Sequence, residues 1–353
     1  LSFIKRMRVI NYNYNIDVLR GISILLVLIY HFKIELFYFF FFSGGYLGVD
    51  IFFLISGYLI TSILHINIEK NIFSFKDFFL RRFLRIVPVY VFVIFLTLLA
   101  SYFVLTPSHL IDISESSIAS SFFYSNIFFW KTLNNYYNPD AILNPLLHTW
   151  SLSIEIQFYL FFSICFYILK KYFLRIKTIL LTLGIISFTI SCLFSYYEPQ
   201  INFFGFQSRL WEFILGSFIF FYKDKINLQL NDIIKYLIYI LVIIFAVFFD
   251  ETTKHPSYLT LVFLFFVSIL MLNCKNNKIL TLEKPLKFFG TLSYSLYLWH
   301  YPILSIYERM PVLDTIYNKL ILFIFIMIVS YFSYYFLELK LKKKIKINFY
   351  FVT

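Results

Sequence analysis

Residues 86–105, 237–249 and 258–272 carry no charged side chain, and that single property leaves few folds open to the chain. In lipid a backbone has to satisfy its own hydrogen bonds, so only helices and closed barrels can hold such runs. A barrel strand alternates polar and apolar positions, and these runs do not alternate. The first has the length of about 20 residues that a helix needs to cross a bilayer. Composition points the same way, with 60% of residues hydrophobic, 23% aromatic and only 14% charged, against about 25% charged in soluble domains. Nine glycines and nine prolines in 353 residues exclude collagen-like and disordered chains. The sequence therefore predicts an all-α, polytopic membrane helix bundle and excludes a soluble enzyme.

Ten spans are predicted, at 17–41, 47–66, 86–105, 146–169, 178–196, 208–222, 234–249, 257–273, 289–307 and 320–338. With the N-terminus inside, 24 of the 31 Lys and Arg fall in inside segments and six outside, and Arg20 lies within the first span. That asymmetry sets orientation and predicts that the basic tails, 1–16 and 339–353, are cytoplasmic. It also gives the net charge of +12 anionic lipid headgroups as partners, in place of nucleic acid. Cys165, Cys192 and Cys274 are isolated, so neither a metal site nor a disulfide framework is expected. Lys5, Arg6 and Arg8 precede the first span and the first alanine is Ala100, so an uncleaved span is expected rather than a signal peptide. Without an internal repeat or linker, 1–353 reads as one domain, and nothing in the sequence supports a homo-oligomer. The longest outside loop, 106–145, carries Asp112, Glu115 and Asp140 and reads as a lid or substrate-facing element.

Charges at bilayer depth are costly, so each marks a functional candidate. In the first span Arg20 and His31 share a face about 16 Å apart along the axis, with Asp17 one turn before Arg20. His31 falls roughly 20 Å into that span. The competing reading has Arg20 reaching the inner headgroups and His31 satisfying a core hydrogen bond. In the fourth span His148, Ser151, Glu155 and Tyr159 form a polar stripe at helical spacing. Glu155, about 10 Å in from the other side, reaches the depth of His31 and is predicted to fix its tautomer; a structural inter-helix hydrogen bond is the alternative. Ser293, Tyr297 and His300 share a face ahead of Pro302, and Arg209 and Glu212 are spaced for an ion pair near the outer surface. In the inner loop before the third span, Arg82 and Arg85 lie one turn apart, which suits a grip on phosphates or an ordinary positive-inside cluster. Gly44, Gly45, Gly48 and Gly57, around Asp50, suit close helix packing.

Together these segments resemble the acyltransferase-3 family of bacterial membrane O-acyltransferases, which includes the O-antigen acetylases. The resemblance rests on Arg20-Gly with His31, Gly48-Val-Asp-Ile-Phe-Phe-Leu-Ile-Ser-Gly-Tyr, Arg82-Phe-Leu-Arg85-Ile-Val-Pro, the stretch from His148 to Tyr159, Arg209-Leu-Trp-Glu212 and the stretch from Leu292 to Pro302. It implies ten helices in the bacterial inner membrane. It also implies transfer of an acyl group, usually acetyl, from cytoplasmic acyl-CoA to a hydroxyl of an envelope glycan such as lipopolysaccharide O-antigen or exopolysaccharide. The family's Arg-plus-His pattern falls on Arg20 and His31, and its Arg-x-x-Arg pattern on Arg82 and Arg85. Some relatives carry a C-terminal hydrolase-like domain; the residues after Glu338 leave no room for one, so a stand-alone transferase is expected. The last helix ends Glu338-Leu-Lys340 where the family commonly has Glu-Arg-Pro.

The expected division of labour follows from what acyl transfer needs. Arg82 and Arg85 would hold the CoA phosphates while Arg20 guides the donor inward. His31 would either deprotonate the acceptor hydroxyl or carry the acyl group, with Glu155 orienting it. His300, Tyr297 or Ser151 would supply an oxyanion donor. Asp17, Asp50, Arg209 and Glu212 are assigned to substrate or structural support. The rival reading is a transporter or flippase of a polar envelope precursor, because intramembrane Arg, Glu and His also build proton relays. The lack of repeat symmetry between the halves weighs against it. Membrane scaffolding would explain the hydrophobicity but not the polar stripes.

Overall fold

A computed structural model of the chain describes residues 13–36, 39–40, 42–133, 143–172, 175–226, 228–273, 281–310 and 315–340. Asp140, Cys274 and most of both basic tails lie outside the described residues. The helices, in order, are α1 Tyr14–His31, α2 Leu47–Glu69, α3 Phe75–Val104, α4 Pro107–Ser121, α5 Ser125–Thr132 and α6 Thr149–Lys171. They continue with α7 Ile176–Tyr197, α8 Pro199–Phe204, α9 Phe206–Ile226, α10 Asp232–Phe248, α11 Tyr258–Leu272, α12 Glu283–Glu308 and α13 Ile316–Ser333, the last running on as a π-helical turn, Tyr334–Leu339. The described strands, β1 Glu35–Leu36 and β2 Phe39–Phe40, form one short antiparallel pair after α1. The protein is an all-α polytopic membrane protein, in which α1, α2, α3, α6, α7 and the run Ile316–Leu339 are each long and apolar enough to cross a bilayer.

Each of the ten expected spans coincides with a helix, but some ends differ for local reasons. The first span stops at His31 rather than 41. The Phe32 N–H closes onto the Leu28 carbonyl at 3.0 Å and the Lys33 N–H onto the Tyr30 carbonyl at 3.1 Å, and Lys33 turns left-handed at φ 44°, a conformation that ends a helix. Helix α3 begins at Phe75, eleven residues before the expected 86, because the Ser74 hydroxyl accepts the Asp77 N–H at 3.3 Å as an N-cap. Arg82 and Arg85 are therefore helical, not in a loop. The expected outside loop contains α4 and α5, started by Pro107 in the first turn. Helix α11 opens with a capping box, the Ser257 hydroxyl accepting from Leu259 while Thr260 accepts the Ser257 N–H at 3.0 Å.

The chain divides into two compact units, Leu1–Phe73 with Ile154–Thr291, and Ser74–Ser153 with Leu292–Thr353. The first unit is built on the crossing of α2 and α9. A Cβ at Gly57 would collide with the Phe213 carbonyl, and one at Gly216 with the Leu54 carbonyl. The two backbones can approach this closely only because both positions lack side chains. Phe53, Phe213 and Phe158 stack at this crossing, with centroids 4.6 and 4.2 Å apart. In the second unit, Tyr90 of α3 donates to the Ser120 carbonyl at 3.1 Å, and Tyr294 of α12 to the Ile86 carbonyl at 2.6 Å. Glu338, buried in the π-turn, accepts from Ser295 at 2.5 Å.

Candidate active site

Helix α1 brings three expected residues onto the first unit. Asp17 and Arg20 pair at 3.4 Å, both partly exposed. His31 is half-buried in the last turn of α1 rather than deep in a longer span, and its Nδ1 lies 2.9 Å from the Val27 carbonyl. A carbonyl oxygen only accepts, so Nδ1 carries the proton and Nε2 presents the lone pair. Backbone geometry thus sets the tautomer that the sequence assigned to Glu155.

Glu155 has other partners. Its Oε1 accepts hydrogen bonds from Ser56 of α2 and from Tyr159, one turn along α6. The expected Glu155–His31 pair is not formed: the carboxylate takes its hydrogen bonds from two hydroxyls, and the His31 ring hydrogen is committed to the Val27 carbonyl.

At the start of α2 and α9 the same unit holds a buried polar cluster. Arg209 Nη1 lies 2.8 Å from Asp50 Oδ1 and 3.1 Å from Glu212 Oε1, and all three residues are fully buried. Arg209 Nε donates to the Phe203 carbonyl at 3.0 Å. The Arg209–Glu212 spacing was legible; that Asp50, far away in sequence, closes onto the same guanidinium was not. His255 is the residue that sequence reasoning missed. It stands in the connection before α11, with Nε2 3.1 Å from Arg209 Nη1 and Nδ1 3.1 Å from the Thr260 hydroxyl. Burial and the guanidinium hold its pKa well below the usual imidazole value, so it is neutral and accepts from Arg209. An aromatic contact series, Tyr30 against His31 at 4.9 Å, Tyr30 against Tyr46 at 5.8 Å and Tyr46 against His255 at 4.7 Å, joins this cluster to the end of α1.

The second unit collects the other candidates. Arg82 and Arg85 are half-buried on the first turns of α3, the Arg82 guanidinium 5.9 Å from the Phe78 ring centre. His148, just before α6, stacks on Tyr301 at 5.4 Å and lies 5.7 Å from His300 and 5.6 Å from Tyr297. The Tyr297 and Ser151 hydroxyls lie 2.5 Å apart, and both reach the His148 carbonyl, Tyr297 at 2.9 Å and Ser151 at 3.2 Å. His300 is fully buried, with Nδ1 3.1 Å from the Leu296 carbonyl. It is therefore committed to the same tautomer as His31. In this arrangement the hydrogens of Ser151, Tyr297 and His300 are all spent on internal acceptors, which leaves none of the three as a ready oxyanion donor. A hydroxyl series from α4, α5 and α6, Ser120 to Thr149 at 2.8 Å, Thr149 to Ser125 at 3.0 Å and Ser125 to Ser153 at 2.7 Å, borders this group. Nothing in the sequence pointed to it, since isolated serines carry no periodic signal.

The sequence model of a family described as an acyltransferase domain matches residues 13–339. The chain belongs to this acyltransferase family. Among similar proteins, the peptidoglycan O-acetyltransferase OatA of Listeria monocytogenes serovar 1/2a is 31% identical over 325 residues, 85% of this chain and 50% of that protein. The O-acetyltransferase OatA of Staphylococcus aureus strain NCTC 8325 is 34% identical over 312 residues, 82% of this chain and 50% of its own length. A putative O-acetyltransferase of Staphylococcus aureus strain MSSA476, SAS0844, is 31% identical over 85% of this chain and 52% of that protein. The chain thus spans about half the length of the curated relatives it matches. No solved structure matches it.

Proposed function

We propose that the protein is a membrane O-acyltransferase that moves an acetyl group from acyl-CoA to a hydroxyl of a cell-envelope glycan. The observation that carries this reading is the family match over residues 13–339, supported by O-acetyltransferase relatives that cover more than four fifths of the chain. The name of the Listeria relative favours peptidoglycan over lipopolysaccharide as the acceptor class.

His31 acts as the general base. Its Nε2 lone pair takes the proton of the acceptor hydroxyl as the oxygen attacks the thioester carbonyl carbon. The carbon–sulfur bond then breaks, and the CoA thiolate leaves with the proton returned from the imidazolium. Arg82 and Arg85 hold donor phosphates, and Arg20 attracts the donor's anionic end. Glu155 positions Ser56 and Tyr159 instead of an imidazole. A second reading places the base at His300, whose backbone-fixed tautomer is the same as that of His31.

The test uses the purified full chain with labelled acetyl-CoA and a peptidoglycan fragment. His31→Ala is expected to lower kcat at least a hundredfold, the lower range for removing a general base, with His300→Ala retaining most activity. The reverse pattern would transfer the role to His300. Passage of glycan without CoA release in the wild type would replace the enzyme by a transporter.

A further inference from the structure

The cytoplasmic end assigned by the charge bias holds a second basic site that the transfer chemistry does not use. A cavity of about 480 Å3 in the first unit is lined by His65, Lys170, Arg175, Ile176, Lys177, Thr178 and Phe221, where α2 and α6 end and α7 begins. Its size falls within the roughly 300–1,000 Å3 of small-ligand sites. Lys170 is neutralised by Glu69 at 3.2 Å, and the same carboxylate takes His65 Nε2 at 3.0 Å. Arg175 and Lys177 have no carboxylate partner among the described residues. The Lys177 ammonium is held over the rings of Phe221 and Tyr222, at 5.3 and 5.1 Å. His65 Nδ1 is buried without a hydrogen-bond partner.

We infer that this cavity binds a phosphate group. The guanidinium of Arg175 forks onto phosphate oxygens, Lys177 supplies a point charge steadied by the two rings, and the exposed Thr178 hydroxyl completes the polar wall. The apolar walls, Ile176 and Phe221, suit a ligand with a hydrophobic portion beside its phosphate. A soluble nucleotide's phosphates and an acidic phospholipid headgroup share this chemistry.

Two probes distinguish the sources, and binding is read without turnover, so the result stands apart from the transfer reaction. Coenzyme A is titrated calorimetrically into the purified full chain carrying Arg82→Gln and Arg85→Gln, so that the proposed donor grip does not contribute, and bound phosphatidylglycerol is counted by native mass spectrometry after reconstitution in nanodiscs containing that lipid. Arg175→Gln and Lys177→Gln are each expected to weaken one probe about tenfold, the loss of one charge-assisted contact. Lys225→Gln, at the same end but outside the cavity, is expected to leave both unchanged. A loss confined to coenzyme A identifies a nucleotide site, and one confined to the lipid identifies a headgroup site. Unchanged binding of both probes in both cavity variants, or an equal loss in Lys225→Gln, overturns the assignment. Size-exclusion profiles matching wild type keep misfolding from imitating either result.

Discussion

At the scale of single residues, the Arg209 cluster shows how a buried charge depends on its partners. One guanidinium answers two carboxylates, and removing it strands both. Arg209→Ala is expected to cost about 3–5 kcal/mol, read as a large fall in the melting temperature of the detergent-solubilised protein. Arg209→Lys is expected to restore little of it, since one ammonium cannot replace Nη1 and Nε together. An unchanged melting temperature in both variants would show that the cluster contributes nothing to stability. His255 adds a pH dependence. Its folded pKa lies below the unfolded value of about 6.5, because burial and Arg209 disfavour the imidazolium. Below about pH 6.5 the unfolded chain binds a proton that the folded chain refuses, so this residue's contribution falls as pH falls. Asp50 and Arg209 face the same ring nitrogen, at 3.4 and 3.1 Å, so the contribution is isolated as the difference between wild type and His255→Gln. That difference is expected to narrow between pH 7.5 and 5.5 in melting experiments; a constant difference would deny the linkage.

Helices were largely legible because apolar length is a strong signal, whereas their ends depend on single residues. Lys33 in a left-handed turn shortened α1, and a serine cap lengthened α3 into what read as a loop. Candidate site residues were found wherever a charge interrupted an apolar run, as at Arg20, His31, Asp50, Glu155 and Arg209. Their partners were not, since Ser56, His255 and Thr260 are ordinary residues until folding brings them beside a charge. The glycines of α2 illustrate the reverse case, where spacing alone indicated close packing. Gly57→Ala and Gly216→Ala are each expected to cost about 1–3 kcal/mol by forcing the helices apart. Gly184→Ala, whose added Cβ would meet only the Ile214 side chain at 3.1 Å, is expected to cost less. Equal losses at all three positions would show that the α2–α9 crossing has no special tightness.

At the scale of the whole molecule, the lysine and arginine count predicts which ends face the cytoplasm. In a variant whose three native cysteines are replaced, Thr252→Cys, in the exposed connection after α10, is expected to react with an impermeant maleimide added to intact cells. Lys171→Cys is expected to stay unlabelled until the membrane is opened. The opposite labelling would invert the topology. Fold class was readable at this scale because lipid restricts the options so severely, but the partition of the chain was not, since no linker or repeat marks it. That partition bears on biosynthesis. Each unit is sewn from two separated stretches, Leu1–Phe73 with Ile154–Thr291 and Ser74–Ser153 with Leu292–Thr353. A ribosome therefore leaves the first unit half made, threads the opening portion of the second, and returns to the first before either can close. Early hairpins have to wait in the bilayer for partners not yet translated, and no simple truncation would liberate one unit intact.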